Sequence, residues 1–489
     1  MLEHKIFKLI KVLHSRELTT VEKYLSSPTI SANSDCVKLF AQICKFHPEM
    51  DNPKLTKERL YGKLYGRQPY NDGKMRKLMT QLTQLIEEYL LHQELKKSEG
   101  LRARLLAKAL GDRNGFELFL EAVESRLREL NKQLDRGRDY FRESYELNEL
   151  IFFHPGSDKL NKRNEYLNRA SDYFERYFTL VTLQIEANNV VRNRLEKGQS
   201  SDSYLQVVMQ VSEKPEFVSS SAINFFRHLV ILLQDQEAED LDQFKKSAFE
   251  TFDQLSRFEQ DFAINLLRSY AVPMANNGSV PHRQFILDLY KIELERGFFA
   301  NIISTGAFMN IASLGLSVDE FDWVDYFVNN FNQHLPQDER EITLNYCKGI
   351  WYYQKGLKSN SLEDFYNAIQ SMNLVPIRAG AKFDIRVRPS LLRIHYEIFE
   401  RGKETLDELL SQARNFERHL NGSGLYSEPA QASYHSFLRY FKTLARLVSS
   451  PNLKKSTVLR FLNKLDLEEG NITLKSWLQE KAKGLAATD

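Results

Sequence analysis

The stretch MRKLMTQLTQLIEEYL, residues 75–90, decides the fold class of this chain. Its apolar residues recur every three or four positions, at Met75, Leu78, Met79, Leu82, Leu85, Ile86, Tyr89 and Leu90. An α-helix turns once in about 3.6 residues, so this spacing places all of them on one face of a helix. The same spacing occurs near the start of the chain, and no segment of similar length alternates apolar and polar residues as a strand does. The sequence therefore predicts an all-α protein.

Glycine and proline are scarce, since the 489 residues include only 21 Gly and 13 Pro. The prolines, among them Pro273 and Pro389, fall between segments with helical spacing, so we expect each of them to mark a helix end. One hydrophobic core usually serves at most about 250–300 residues. We therefore expect either two or three domains or one elongated stack of helices.

Composition and helix length divide the sequence into three predicted segments. Residues 98–200 contain long, highly charged segments that predict helical hairpins, and residues 201–489 contain shorter helices. Residues 1–97 form a basic module with five helices, predicted near 2–14, 18–26, 34–46, 56–65 and 72–97. The whole chain is nearly neutral, with 67 basic and 65 acidic residues. A nucleic-acid or membrane partner would therefore need a local charged patch.

The segment NYCKGIWYYQKGLKSNSLEDFYNAIQSM, residues 345–372, predicts a pair of closely packed helices. Small and aromatic residues occupy its packing and turn positions: Gly349 and Tyr352 in the first helix, Gly356 at the turn, and Phe365 and Ala368 in the second helix. This pattern resembles a tetratricopeptide (TPR) repeat, and residues 307–336 and 390–420 resemble one less closely. The resemblance implies that residues 201–489 form an α-solenoid of TPR-like helix pairs, preceded by the small N-terminal module.

The TPR resemblance also implies a binding surface. In TPR-like pairs the first helix lines the concave surface, and the positions that commonly face a ligand here carry Thr343, Tyr346, Ile350, Tyr353 and Gln354. Tyrosine supplies a large contact area at low entropic cost, so these residues suit a protein or peptide partner. The alternative is that they pack against a neighbouring repeat. The leading hypothesis is a non-enzymatic scaffold or adaptor that binds a protein or peptide.

A broader resemblance runs from near Lys5 to Leu447. Segments such as FILDLYKIELERGFF, residues 285–299, and FDWVDYFVNNF, residues 321–331, resemble a family of uncharacterised bacterial proteins of about this length. This second resemblance implies no activity.

The segment KLTKERLYGKLYGRQPYNDGKMRK, residues 54–77, is the concentrated basic patch of the sequence, with eight basic and two acidic residues. Thr56 and Asn71 are placed to cap two successive helices, which would form a helix-turn-helix. Residues that could contact phosphate or base edges are Lys57, Arg59, Lys63, Lys74, Lys77 and Gln81. The segment also resembles the helical part of winged-helix domains in bacterial activators. The alternative function is therefore a nucleic-acid-associated or transcription-regulatory protein; a solvated face or an acidic protein partner would explain the same charges.

Motifs for catalysis, cofactors and metals are absent from the sequence. It contains no GxxxxGK[ST], GxGxxG, GxSxG or HExxH pattern. Cys36 and Cys44 are too far apart along a helix to share a zinc ion, and three cysteines do not suit a disulfide framework. The first residues do not resemble a secretion signal, and no apolar run approaches the roughly 18 residues of a membrane span. We therefore expect a soluble, cytoplasmic protein that needs no cofactor, has no metal site or catalytic residues and binds no membrane.

Overall fold

The computed structural model describes residues 4–30, 33–50, 52–196, 204–234, 238–299, 302–376, 380–422, 424–468 and 470–487. Within these ranges every regular element is a helix, so the all-α prediction is confirmed. None of the helices in the described ranges is long and apolar enough to cross a membrane. The chain divides into two compact units, Met1–Val181 and Thr182–Asp489.

The first unit contains the five helices predicted for the basic module, followed by longer helices. Its helices are α1 (Lys5–Lys11), α2 (Leu18–Leu25), α3 (Ser34–Cys44), α4 (Lys57–Tyr65), α5 (Asp72–Lys97), α6 (Glu99–Gly111), α7 (Phe116–Leu130), α8 (Arg138–Phe153), a 3-10 turn (Pro155–Lys159) and the first part of α9 (Arg163–Glu196). Helix α1 ends at Lys11, before the predicted end at residue 14, and residues 2 and 3 of the predicted span lie outside the described residues.

The apolar stripe of α5 builds the core of the first five helices. The Asn71 side chain caps α5 by accepting a hydrogen bond from the Lys74 backbone N–H at 2.8 Å. Met75, Met79 and Ile86 are fully buried against side chains from α1 to α4. Burying each such side chain contributes about 1.5–3 kcal/mol. The predicted stripe therefore forms the packing face of the module.

The second unit contains the rest of α9 and fifteen further α-helices in the described ranges. They are α10 (Leu205–Ser212), α11 (Pro215–Val218), α12 (Ser221–Gln234), α13 (Ala238–Ser247), α14 (Arg257–Asn276), α15 (Val280–Glu295), α16 (Thr305–Ser317), α17 (Phe321–Phe331), α18 (Arg340–Ser359), α19 (Leu362–Asn373), α20 (Ala381–Glu400), α21 (Leu406–Gly422), α22 (Glu428–Val448), α23 (Lys455–Leu467) and α24 (Lys475–Ala487), with 3-10 turns at Phe249–Gln254 and Asn332–His334.

Two prolines lie inside helices, which corrects the expectation that each would mark a helix end. Pro273 lies within α14 and Pro389 within α20. Proline has no N–H to give to the carbonyl four residues earlier, which for Pro389 is that of Ile385. The Tyr434 hydroxyl donates to this carbonyl oxygen at 3.0 Å instead. Packing against α22 therefore allows α20 to continue through its proline.

The helix pair α18 and α19 packs closely at Gly349 and Gly356. A Cβ atom at Gly349 would lie 2.6 Å from Cγ of Met372 in α19, so the close approach predicted there is present. Gly356 is not at the turn, contrary to the sequence expectation. It lies within α18, where a Cβ atom would come within 3.0 Å of the Phe365 ring, and the helix ends at Asn360 in the left-handed conformation. Both glycines thus allow helix contact.

Helix α20 separates two hydrophobic clusters of the second unit. Its residues Ile394 and Ile398 belong to the cluster of α16 to α19, whereas Leu392 and Tyr396 belong to the cluster of α21 to α24. Because both faces of α20 are fixed by core packing, Arg393 is held between them.

Candidate functional site

A cavity of about 410 Å³ opens between five helices of the second unit. Helix α18 lines it with Tyr346, Ile350, Tyr353 and Gln354, and the other walls come from α15, α16, α20 and α24. Four of the five residues that sequence analysis assigned to a binding surface therefore share one pocket.

The fifth assigned residue, Thr343, is not part of this pocket. It is fully buried, and its hydroxyl donates to the Glu339 carbonyl oxygen one turn earlier at 2.7 Å. Tyr346, Ile350 and Tyr353 are 6%, 7% and 2% exposed, so they present only small areas to the cavity. These residues pack into the core and line the pocket at the same time.

Arg393 of α20 is the central cation of the pocket wall. Its guanidinium carbon lies 4.9 Å from the centre of the Tyr353 ring and 5.9 Å from that of Trp477. Such cation–π contacts contribute about 0.5–2 kcal/mol each, depending on how far they are desolvated. Trp477 is itself fixed by a stacked contact with Phe441 and an edge contact with Tyr396. The aromatic side chains thus hold the arginine in a defined place.

Several buried polar atoms of pocket-lining residues lack a hydrogen bond of acceptable geometry to any described residue, among them the Tyr353 hydroxyl oxygen and the Nε atoms of Arg283 and Arg393. Burial raises the pKa of Tyr353, and the charge of Arg393 only partly opposes this rise. The Tyr353 hydroxyl therefore stays protonated at neutral pH and can donate a hydrogen bond.

Two further charged residues of the pocket, Lys481 and Glu397, neutralise each other. Nζ of Lys481 lies 2.7 Å from carboxylate oxygens of both Glu397 and Glu400, and Arg401 reaches Glu397 at 3.0 Å. Burial lowers the pKa of Lys481, but these carboxylates outweigh it, and the pKa is raised overall. Lys481 therefore remains charged within an ion-pair network.

Sequence reasoning missed Arg283, Arg393 and Trp477 as pocket residues. All three come from helices outside the α18–α19 pair, and no short motif links them to it. The one available signal was the scarcity of tryptophan, of which the chain has three.

The basic patch of residues 54–77 lies on α4, the following turn and the start of α5. Arg59, Lys63 and Lys77 are exposed, whereas Lys57 lies 3.7 Å from a carboxylate oxygen of Asp72. Nζ of Lys74 lies 3.5 Å from the centre of the Tyr65 ring.

Gln81, the residue proposed to contact base edges, already has a partner. Its side-chain oxygen accepts a hydrogen bond from Asn33 at 2.9 Å, and it is half-buried. The side-chain oxygen of Gln81 is therefore already engaged within the module.

Chemistry at cysteine or a metal has little support in the described ranges. No group of three or more His, Cys, Asp or Glu side chains that could hold a metal ion occurs among the described residues. Burial raises the pKa of Cys36 to about 11 and those of Cys44 and Cys347 to about 12. These thiols stay protonated at neutral pH and are weak nucleophiles.

Comparison of the chain with protein-family models, with curated proteins and with solved structures finds no match.

Proposed function

We propose that this chain is a non-enzymatic helical-repeat scaffold that binds a peptide or protein segment in the pocket of α18. The observation that carries the proposal is the convergence of Tyr346, Ile350, Tyr353 and Gln354 on one cavity. These residues were assigned from a repeat pattern in which the first helix of a pair faces the ligand. In a repeat scaffold, residues at these positions form the surface that binds the ligand.

The composition of the pocket supports a binding role. Its volume of about 410 Å³ falls within the roughly 300–1,000 Å³ of small ligand-binding clefts. Its lining combines aromatic and aliphatic side chains, such as Tyr346, Ile350 and Trp477, with a larger number of polar and charged ones, so it can take both an apolar and a polar group of a partner. The described lining contains neither histidine nor cysteine, so it holds neither a Ser–His nor a Cys–His pair.

Selection from a random peptide library against the purified full chain tests this proposal. Fluorescence anisotropy of the selected peptides should show saturable binding that Gln354→Trp weakens about tenfold or more, equal to ~1.4 kcal/mol. The matched control is Lys348→Trp, an exposed position of the same helix outside the pocket. Failure to select any peptide, or equal weakening by both substitutions, would contradict the proposal.

A second candidate function is contact with nucleic acid through residues 54–77. It is favoured by the exposed cations Arg59, Lys63 and Lys77, which form no ion pair with any described residue. Cations of this kind bind phosphate irrespective of base sequence.

A further inference from the structure

Arg393 lacks the carboxylate partner that three other half-buried arginines of the second unit have. In the same unit Arg268 pairs with Glu293 at 2.8 Å, Arg388 with Asp384 at 2.7 Å, and Arg401 with Glu397 at 3.0 Å. No carboxylate of the described residues lies within the 4.0 Å ion-pair distance of Arg393. Burying a cation without a counter-charge costs free energy, so a negative group of a ligand would stabilise Arg393 here.

The surroundings of Arg393 leave its buried Nε without a hydrogen-bond partner. Tyr353 and Trp477 contact the guanidinium through their rings. A guanidinium offers several N–H donors in one plane, and these match the two oxygens of a carboxylate. The hydroxyl of Tyr353, which is 2% exposed and interacts with Arg393, supplies a second donor beside the guanidinium.

The charges of the pocket favour a ligand with one negative group over a ligand with several. Arg283 adds a second cation that pairs with no described carboxylate, while Lys481 is already neutralised by Glu397 and Glu400. Glu480, an exposed carboxylate of the pocket, opposes any further negative charge. A run of acidic residues would meet this repulsion, whereas a single one would not.

The apolar residues of the pocket indicate what kind of ligand bears the negative group. Ile350, Leu316 and Tyr346 line the same cavity and can bury an apolar side chain next to the charged one. A free inorganic anion would leave these walls uncovered. A peptide segment with one acidic side chain beside an apolar one satisfies both parts of the pocket.

We infer that the α18 pocket recognises a single Asp or Glu side chain of a bound peptide, through the guanidinium of Arg393 and the hydroxyl of Tyr353. This inference rests on the proposed peptide-binding function and adds which side chain of the peptide is recognised. Arg393 is then the specificity-determining residue of the site.

Peptides selected on the wild-type full chain provide the probe. We expect them to share one Asp or Glu next to an apolar residue, and we expect replacement of that acid by its amide to weaken binding about tenfold or more. Arg393→Gln should cause a similar loss, and the amide peptide should lose nothing further on that variant. The control Arg414→Glu, at an exposed position of α21 outside the pocket, should leave affinity unchanged.

The outcomes separate this inference from the proposed function. Peptides that bind and respond to Gln354→Trp, but show no acidic preference and no coupling to Arg393, would overturn the inference and leave the function standing. Absence of any selected peptide would overturn both. If Arg393→Gln does not fold, the amide peptide on the wild-type chain and Tyr353→Phe, which removes only the hydroxyl, still decide the question.

Discussion

The hydroxyl of Tyr434 donates a hydrogen bond to the carbonyl oxygen of Ile385, which the proline at position 389 leaves without its helical partner. Tyr434 lies on α22 and Ile385 on α20, so one side chain joins two helices and repairs a break in the backbone hydrogen bonding.

We expect Tyr434→Phe to destabilise the protein by about 1–3 kcal/mol, because it leaves the Ile385 carbonyl without a donor. The ring contacts of Tyr434 with Phe416 and Tyr426 would be retained in the variant. Urea unfolding followed by circular dichroism measures the change. In a Pro389→Ala background, which restores a backbone donor, the same substitution should cost clearly less; an equal cost in both backgrounds would refute the explanation.

Substitution of Gly349 by leucine should disrupt the packing of α18 on α19. The new side chain would enter space held by Met372, since even a Cβ atom there lies 2.6 Å from Cγ of that residue. Overpacking of this kind costs about 1–3 kcal/mol. The melting temperature is the measurement, and an unchanged value would argue against this contact.

The control is Gly484→Ala in α24, where a Cβ atom would meet nothing within 4 Å. Alanine is favoured over glycine in a helix by roughly 0.5–1 kcal/mol, so this variant should melt slightly higher. A lower melting temperature for Gly349→Leu and a higher one for Gly484→Ala would distinguish the effect of close packing from that of helix propensity.

Local patterns in the sequence are enough to predict the helices and their caps. The Asn71 cap and the stripe of α5 depend on residues three or four positions apart, and both are present. The in-helix position of Pro389 depends on Tyr434, which is 45 residues away and carries no local signal. The same holds for the pocket. The residues of α18 follow a local repeat pattern that the sequence shows, whereas Arg393 and Trp477 reach the pocket only through tertiary packing.

Alkaline pH should lower the stability of the folded chain. Burial raises the pKa of Cys347 to about 12 from its ordinary value of 9.0, so the folded state holds this proton more tightly than the unfolded state. Stability from this group is complete below pH 9.0 and is lost as the pH rises toward 12, by up to about 1.4 kcal/mol per pH unit. Urea unfolding at a series of pH values measures the free energy of unfolding, which should fall less steeply with pH for Cys347→Ala than for the wild-type chain. Identical pH dependence in both would contradict a role for the Cys347 thiol.

If residues 54–77 contact nucleic acid, binding should depend steeply on salt and on the exposed lysines of α5. Each phosphate contact releases a counterion, so the logarithm of affinity should fall linearly with the logarithm of salt concentration. Lys74→Glu with Lys77→Glu should weaken binding of a duplex at least tenfold, ~1.4 kcal/mol, and flatten the salt dependence. Lys8→Glu with Lys11→Glu makes the same charge change at exposed positions of α1 and should have a smaller effect. Equal losses from both pairs would indicate attraction by net charge alone, and salt-insensitive or absent binding would exclude this patch as a nucleic-acid interface.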